Sequence, residues 1–143
     1  MTEIKSNISE IIKQNISKVK RLIGDKERAE QLIASTMDEI AAALEFKVEF
    51  KIYSHVDKDK DTLYRVFVEN VNSKKKLFIL LYYFHQVNIF PLMMNYDAEI
   101  VKRCEGINDL VEYLERLVAD ESFMIKIITV AEDEQGPEEA LDF

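Results

Sequence analysis

The chain has 143 residues, 48% hydrophobic and 32% charged, with a formal net charge of −8. That length can bury one core and fits a single domain, and no run of about 18 apolar residues exists to cross a membrane as a helix. One cysteine rules out an internal disulfide framework, and with a polar start that lacks a signal-peptide pattern this points to a cytoplasmic protein.

The acidity is uneven. Residues 131–143 carry six acidic side chains and no basic one, so the body through residue 130 is only −2. We therefore expect a single α+β domain over 1–130 and a flexible, disordered acidic tail over 131–143. Bulk charge of this sign does not favour nucleic acid, although one basic face remains available to it.

From the N-terminus, Ile4, Ile8, Ile11, Ile12, Val19, Leu22 and Ile23 recur at spacings of three and four, which predicts a helix over 3–23. Gly24 fits the left-handed position that ends a helix. Asp25 then caps a second helix over 26–44, with Ala29, Leu32, Ile33, Met37, Ile40, Ala41 and Leu44 on its apolar face. The short junction predicts an αα-hairpin.

The hairpin is expected to cover a mainly antiparallel sheet of four to five strands, whose core is a meander over residues 46–84. The first strand alternates strictly: Phe46, Val48, Phe50 and Ile52 on one side, Lys47, Glu49, Lys51 and Tyr53 on the other. After a charged turn, Tyr64, Val66 and Val68 alternate with Leu63, Arg65, Phe67 and Glu69. The third strand, residues 77–84, is apolar on both faces, which predicts a central strand covered on both sides. A fourth strand over 86–90 is expected to stop at Pro91, which has no N–H for a ladder, and a short strand to run from Ile100 toward Cys104. A third helix is predicted over 109–119. Residues 123–130, again apolar on both faces, read as a final strand.

Little here suits catalysis. With only Gly24, Gly106 and Gly136, no glycine cluster can bring backbone close to phosphate. His55 and His85 lack partners at metal-ligand spacing, so we expect no metal and no cofactor. Asp57, Asp59 and Asp61 lack the glycine and closing glutamate of a calcium loop. An enzyme using Cys104 as a nucleophile, paired with His85, is the remaining catalytic reading, and we expect a non-enzyme.

Two stretches point to binding. Tyr82 and Tyr83, beside Lys74, Lys75 and Lys76, make a candidate sheet-face or nucleic-acid contact. The end of the chain, Glu138, Glu139, Ala140, Leu141, Asp142 and Phe143, joins acidic residues to two apolar anchors, Leu141 and the terminal Phe143. It resembles the acidic tips of bacterial and phage single-stranded-DNA-binding proteins, which recruit replication enzymes, although their usual penultimate proline is absent. It is also similar to peptides that dock on bacterial sliding clamps, with Leu141 and Phe143 as anchors and Glu138 where glutamine is expected.

The leading expectation is a non-enzymatic protein-binding module: a small acidic inhibitor or immunity-type protein that forms a stoichiometric complex. The alternative is a single-stranded nucleic-acid-binding or replication-accessory protein whose tail recruits enzymes. A protein partner is expected on either reading, with a homodimer as a further candidate assembly and no membrane.

Overall fold

The computed structural model describes residues 2–59, 61–85, 89–96 and 100–136. Their elements run α1 (Thr2–Ala43), β1 (Val48–Val56), β2 (Thr62–Asn70), β3 (Lys76–His85), β4 (Ile89–Tyr96), β5 (Ile100–Cys104), α2 (Ile107–Ala119) and α3 (Glu121–Ala131). The five strands form one antiparallel meander in the order β1-β2-β3-β4-β5. The mixed α+β class, the antiparallel sheet and the short strand ending at Cys104 are as the sequence predicts.

Three predicted elements are replaced. The αα-hairpin is a single helix, α1, which runs through Gly24 without a break. Glycine permits a left-handed residue but does not impose one, and the flanking residues are all helix-compatible. The true end of α1 is a Schellman motif: the amide of Glu45 donates to the Ala42 carbonyl at 3.0 Å and that of Phe46 to Ala41 at 2.8 Å. Its left-handed C′ residue is Glu45, with φ 56°, and Phe46 after it also has a positive φ of 60°, so no glycine marks it.

The expected last strand over 123–130 is helix α3 instead. Phe123, Ile127, Val130 and Ala131 are its buried residues, at spacings that put one helical stripe on the core. The strand expected to stop at Pro91 continues through it as β4; of its predicted span, residues 86–88 lie outside the described residues. The ladder jumps from Phe84–Leu92 to His85–Ile89, so Phe90 and Pro91 sit in a bulge where proline's missing donor is harmless.

All three helices pack on one face of the sheet. Ala29, Ile33, Met37 and Ile40 of α1, Leu110, Tyr113 and Leu117 of α2, and the α3 stripe share a core with Val66, Val68, Leu80, Tyr82, Phe84, Leu92, Met94 and Cys104. Only the C-terminal half of α1 takes part; every described side chain from Asn7 to Arg21 is exposed.

Asn70 closes this layer. Its buried amide donates to the carbonyls of Val130 at 2.9 Å, Ala131 at 3.2 Å and Asp133 at 3.0 Å. Its Oδ1 accepts from the amides of Asn72 and Ser73, both at 2.8 Å. One side chain thereby caps α3 and shapes the β2–β3 turn. The chain then turns at Gly136, φ 98°, where an added Cβ would stand 3.3 Å from the Ser73 carbonyl oxygen. Lys47–Glu132 at 3.6 Å and Lys75–Asp133 at 3.8 Å hold the start of the acidic segment against the domain.

Candidate functional site

Side chains directly opposite one another in a ladder share a face. The register therefore gathers Glu49, Lys51, Tyr53 and His55 of β1 with Glu69, Phe67, Arg65 and Leu63 of β2 on the side away from the helices. From β3 it adds Lys76, Phe78, Leu81 and Tyr83, and from β4 and β5 Asn95, Met93 and Arg103. None of these belongs to the core, and among the described residues no helix lies over them.

A bulge in β3 explains why this strand reads as apolar on both sides. Val66 pairs with Leu80 and Phe67 with Phe78, so Ile79 is extra. Ile79 and Leu80 are consecutive, and both are buried. Beyond the bulge the alternation resumes with Tyr82 and Phe84 inward and Leu81 and Tyr83 outward.

The centre of the open face is aromatic. Tyr53 meets Phe67 edge-on, with ring centroids 5.5 Å apart, and Phe67 meets Phe78 at 5.5 Å. Tyr53 and Phe78 are 46% and 45% exposed, high values for large rings on a sheet. The Lys76 ammonium stands 5.1 Å from the Tyr53 ring centroid and 5.2 Å from that of Phe67, within cation–π range. Leu63, Leu81, Tyr83 and Met93 extend the apolar surface and are half-buried.

Charges toward the β1–β2 end of the face are paired. Lys51 reaches Glu69 at 2.6 Å and Glu49 at 3.6 Å. The hydrogen bond and charge of Lys51 hold the Glu69 carboxyl below its usual range, and Glu69 in turn raises the Lys51 ammonium. Arg103 pairs with Glu105 at 2.7 Å. The surface thus has an apolar, aromatic centre, with the ion pairs Lys51–Glu69 and Arg103–Glu105 toward its margin.

The residues expected to make a sheet-face contact divide. Lys76 and Tyr83 lie on the open face. Lys74 is exposed in the turn, with φ 69°, and Lys75 is committed to Asp133. Tyr82 points into the core and is 2% exposed. It stacks on Tyr64 at 4.9 Å, and burial raises its hydroxyl pKa well above the usual value. The tail residues Glu138, Glu139, Leu141, Asp142 and Phe143 lie outside the described residues. The residues that sequence reasoning did not single out are Tyr53, Phe67, Leu81 and Met93. Their signal was present in the outward set of the first strand and in the lone Phe67 between Arg65 and Glu69.

Cys104 is enclosed in the core, and burial pushes its thiol up to about 11, the reverse of an activated nucleophile. His85 is exposed at the end of β3. Among the described residues no three His, Cys, Asp or Glu side chains cluster to hold a metal, and no helix is long and apolar enough to cross a membrane.

Comparison of the chain with protein-family models, with curated proteins and with solved structures finds no match.

Proposed function

We propose that this protein is a non-enzymatic, cytoplasmic binding module that docks a partner protein on the open face of its sheet and acts as an inhibitor or immunity-type protein in a stoichiometric complex. The observation that carries this reading is the uncovered ring cluster Tyr53–Phe67–Phe78 with Leu81, Tyr83 and Met93 around it. Large rings fixed on a rigid sheet lose little entropy on contact and are the residue types that dominate interface energetics. The test is affinity capture from the native host with wild type and with a Tyr53→Ser/Phe78→Ser variant whose fold is checked by circular dichroism. A partner held one-to-one by wild type and lost by the variant supports the reading. A partner held equally by both refutes it.

A second reading is favoured by Lys76 lying across two rings, with Arg65 and Tyr83 on the same face. Aromatic rings and cations on an open sheet suit single-stranded nucleic acid, and the Phe143 tail would then recruit enzymes and compete for the basic side chains. We expect a chain ending at Gly136 to bind a labelled oligonucleotide more tightly than the full chain in fluorescence anisotropy. Binding by neither eliminates this reading.

A further inference from the structure

Because α1 does not fold back at Gly24, the apolar stripe that a hairpin would have buried is left in the open. Ile8, Ile11, Ile12, Ile16, Val19 and Ile23 are between 43% and 63% exposed. They cover roughly 22 Å of helix at 1.5 Å per residue. On the helical wheel the stripe is edged by Lys13 and Lys20 on one side and by Lys18 on the other.

At the opposite end of the same helix lies a groove of about 330 Å³ between α1 and α2. Leu32, Val111, Val118 and Met124 are among its apolar lining, and Glu39 of α1 and Glu115 of α2 stand on its two walls. Its α1 wall runs from residue 32 to residue 43, roughly 17 Å. Stripe and groove therefore match in character, approximately in length, and in charge: apolar against apolar, with basic edges against acidic walls.

We propose that the isoleucine stripe of one copy of this chain seats in the α1–α2 groove of a second copy. The chain cannot satisfy itself, because stripe and groove are carried by one continuous helix and face different ends of it. Pairing stripe with stripe would bring the lysine edges together, which like-charge repulsion disfavours, whereas the groove offers carboxylates. Two copies that each seat a stripe in the other's groove form the closed two-fold arrangement common among homo-oligomers. This assembly leaves the open sheet face free for a different partner, so it stands independently of the function proposed above.

The test is the solution mass of the full chain by sedimentation velocity across micromolar concentrations. Wild type is expected at twice the chain mass. Ile12→Asp in the stripe and Val118→Arg in the groove should each weaken association by about 30-fold or more, the loss typical of a strong interface residue. Both positions are exposed in the single chain, so circular dichroism should show an unchanged fold. Mixing the two variants should restore a dimer weaker than wild type, because one intact stripe then meets one intact groove. A monomeric wild type overturns the proposal. So does a mixture that stays monomeric, or a Val118→Arg variant that dimerises like wild type while Ile12→Asp does not, the signature of stripe-to-stripe pairing.

Discussion

Moving the glycine of α1 from the middle of the helix to its end tests the continuity of this helix directly. At residue 24 the backbone is helical and a methyl group would meet nothing within 4 Å. Gly24→Ala therefore gains the propensity difference between the two residues, about 0.8–1 kcal/mol. At residue 45 an L-residue occupies a left-handed conformation, φ 56°, at a cost of about 1–2 kcal/mol. Glycine removes that cost but adds roughly 0.5–1 kcal/mol of unfolded-state entropy, so Glu45→Gly should gain about 0.5–1 kcal/mol. The sites are separated by 21 residues of helix, roughly 31 Å at 1.5 Å per residue, so the gains should add to about 1.5 kcal/mol. Urea titration followed at 222 nm should show a higher midpoint at unchanged slope. For a chain of this size each kcal/mol is worth about 2–4 °C in Tm. A hairpin turning at Gly24 requires the opposite sign for Gly24→Ala, because alanine would then be forced into a left-handed residue. A destabilisation of 0.5 kcal/mol or more at that position refutes the continuous helix.

Other perturbations probe the remaining joints. Asn70→Ala strips five hydrogen bonds from the junction of α3 with the β2–β3 turn; at about 1 kcal/mol net each, partly recovered by water, the loss should be about 2–4 kcal/mol in urea melts, and less than 1 kcal/mol would show that the clasp is incidental. Lys51 lowers the folded-state pKa of Glu69 from the ordinary 4.5, so the stabilisation from this pair is complete above pH 4.5 and lost as pH falls through the lower folded value. Thermal melts of wild type and Glu69→Gln should therefore differ most near neutral pH and converge under acid; a constant gap would contradict the linkage. Cys104 is enclosed, with its thiol raised to about 11, so at pH 8 a thiol reagent should label native protein about a thousandfold or more slower than unfolded protein. Rapid native labelling would mean that the thiol is accessible.

Much of the sheet was legible because its signal is local. In β1 the alternation of Val48, Phe50 and Ile52 with Glu49, Lys51 and Tyr53 specifies both the strand and its two faces. The charged turns at residues 57–61 and 72–76 specify antiparallel neighbours. The apolar spacing of Leu110, Leu114 and Leu117 specifies α2. The open face was half legible: Tyr53, Arg65 and Phe67 belong to the outward sets of their strands. Nothing local shows that no helix covers those sets, and Tyr82 and Tyr83, adjacent in sequence, go to opposite sides.

What the chain's own sequence determined is the alternation, the turns and the periodic stripes, since these follow from nearest-neighbour geometry and the sorting of apolar from charged side chains. Tertiary structure decided the rest. The segment 123–130 is apolar enough for either state. It becomes α3 because Phe123, Ile127 and Val130 complete the layer over the sheet and because Asn70, far away in sequence, satisfies the carbonyls at its end. The third strand takes a bulge at Ile79, which only its pairing with β2 reveals. Gly24 permits a helix end without requiring one, while Glu45 terminates α1 through hydrogen bonds to Ala42 and through the start of β1. Each of these choices depends on partners distant in the chain, and local propensity differs between the alternatives by less than the packing that selects one.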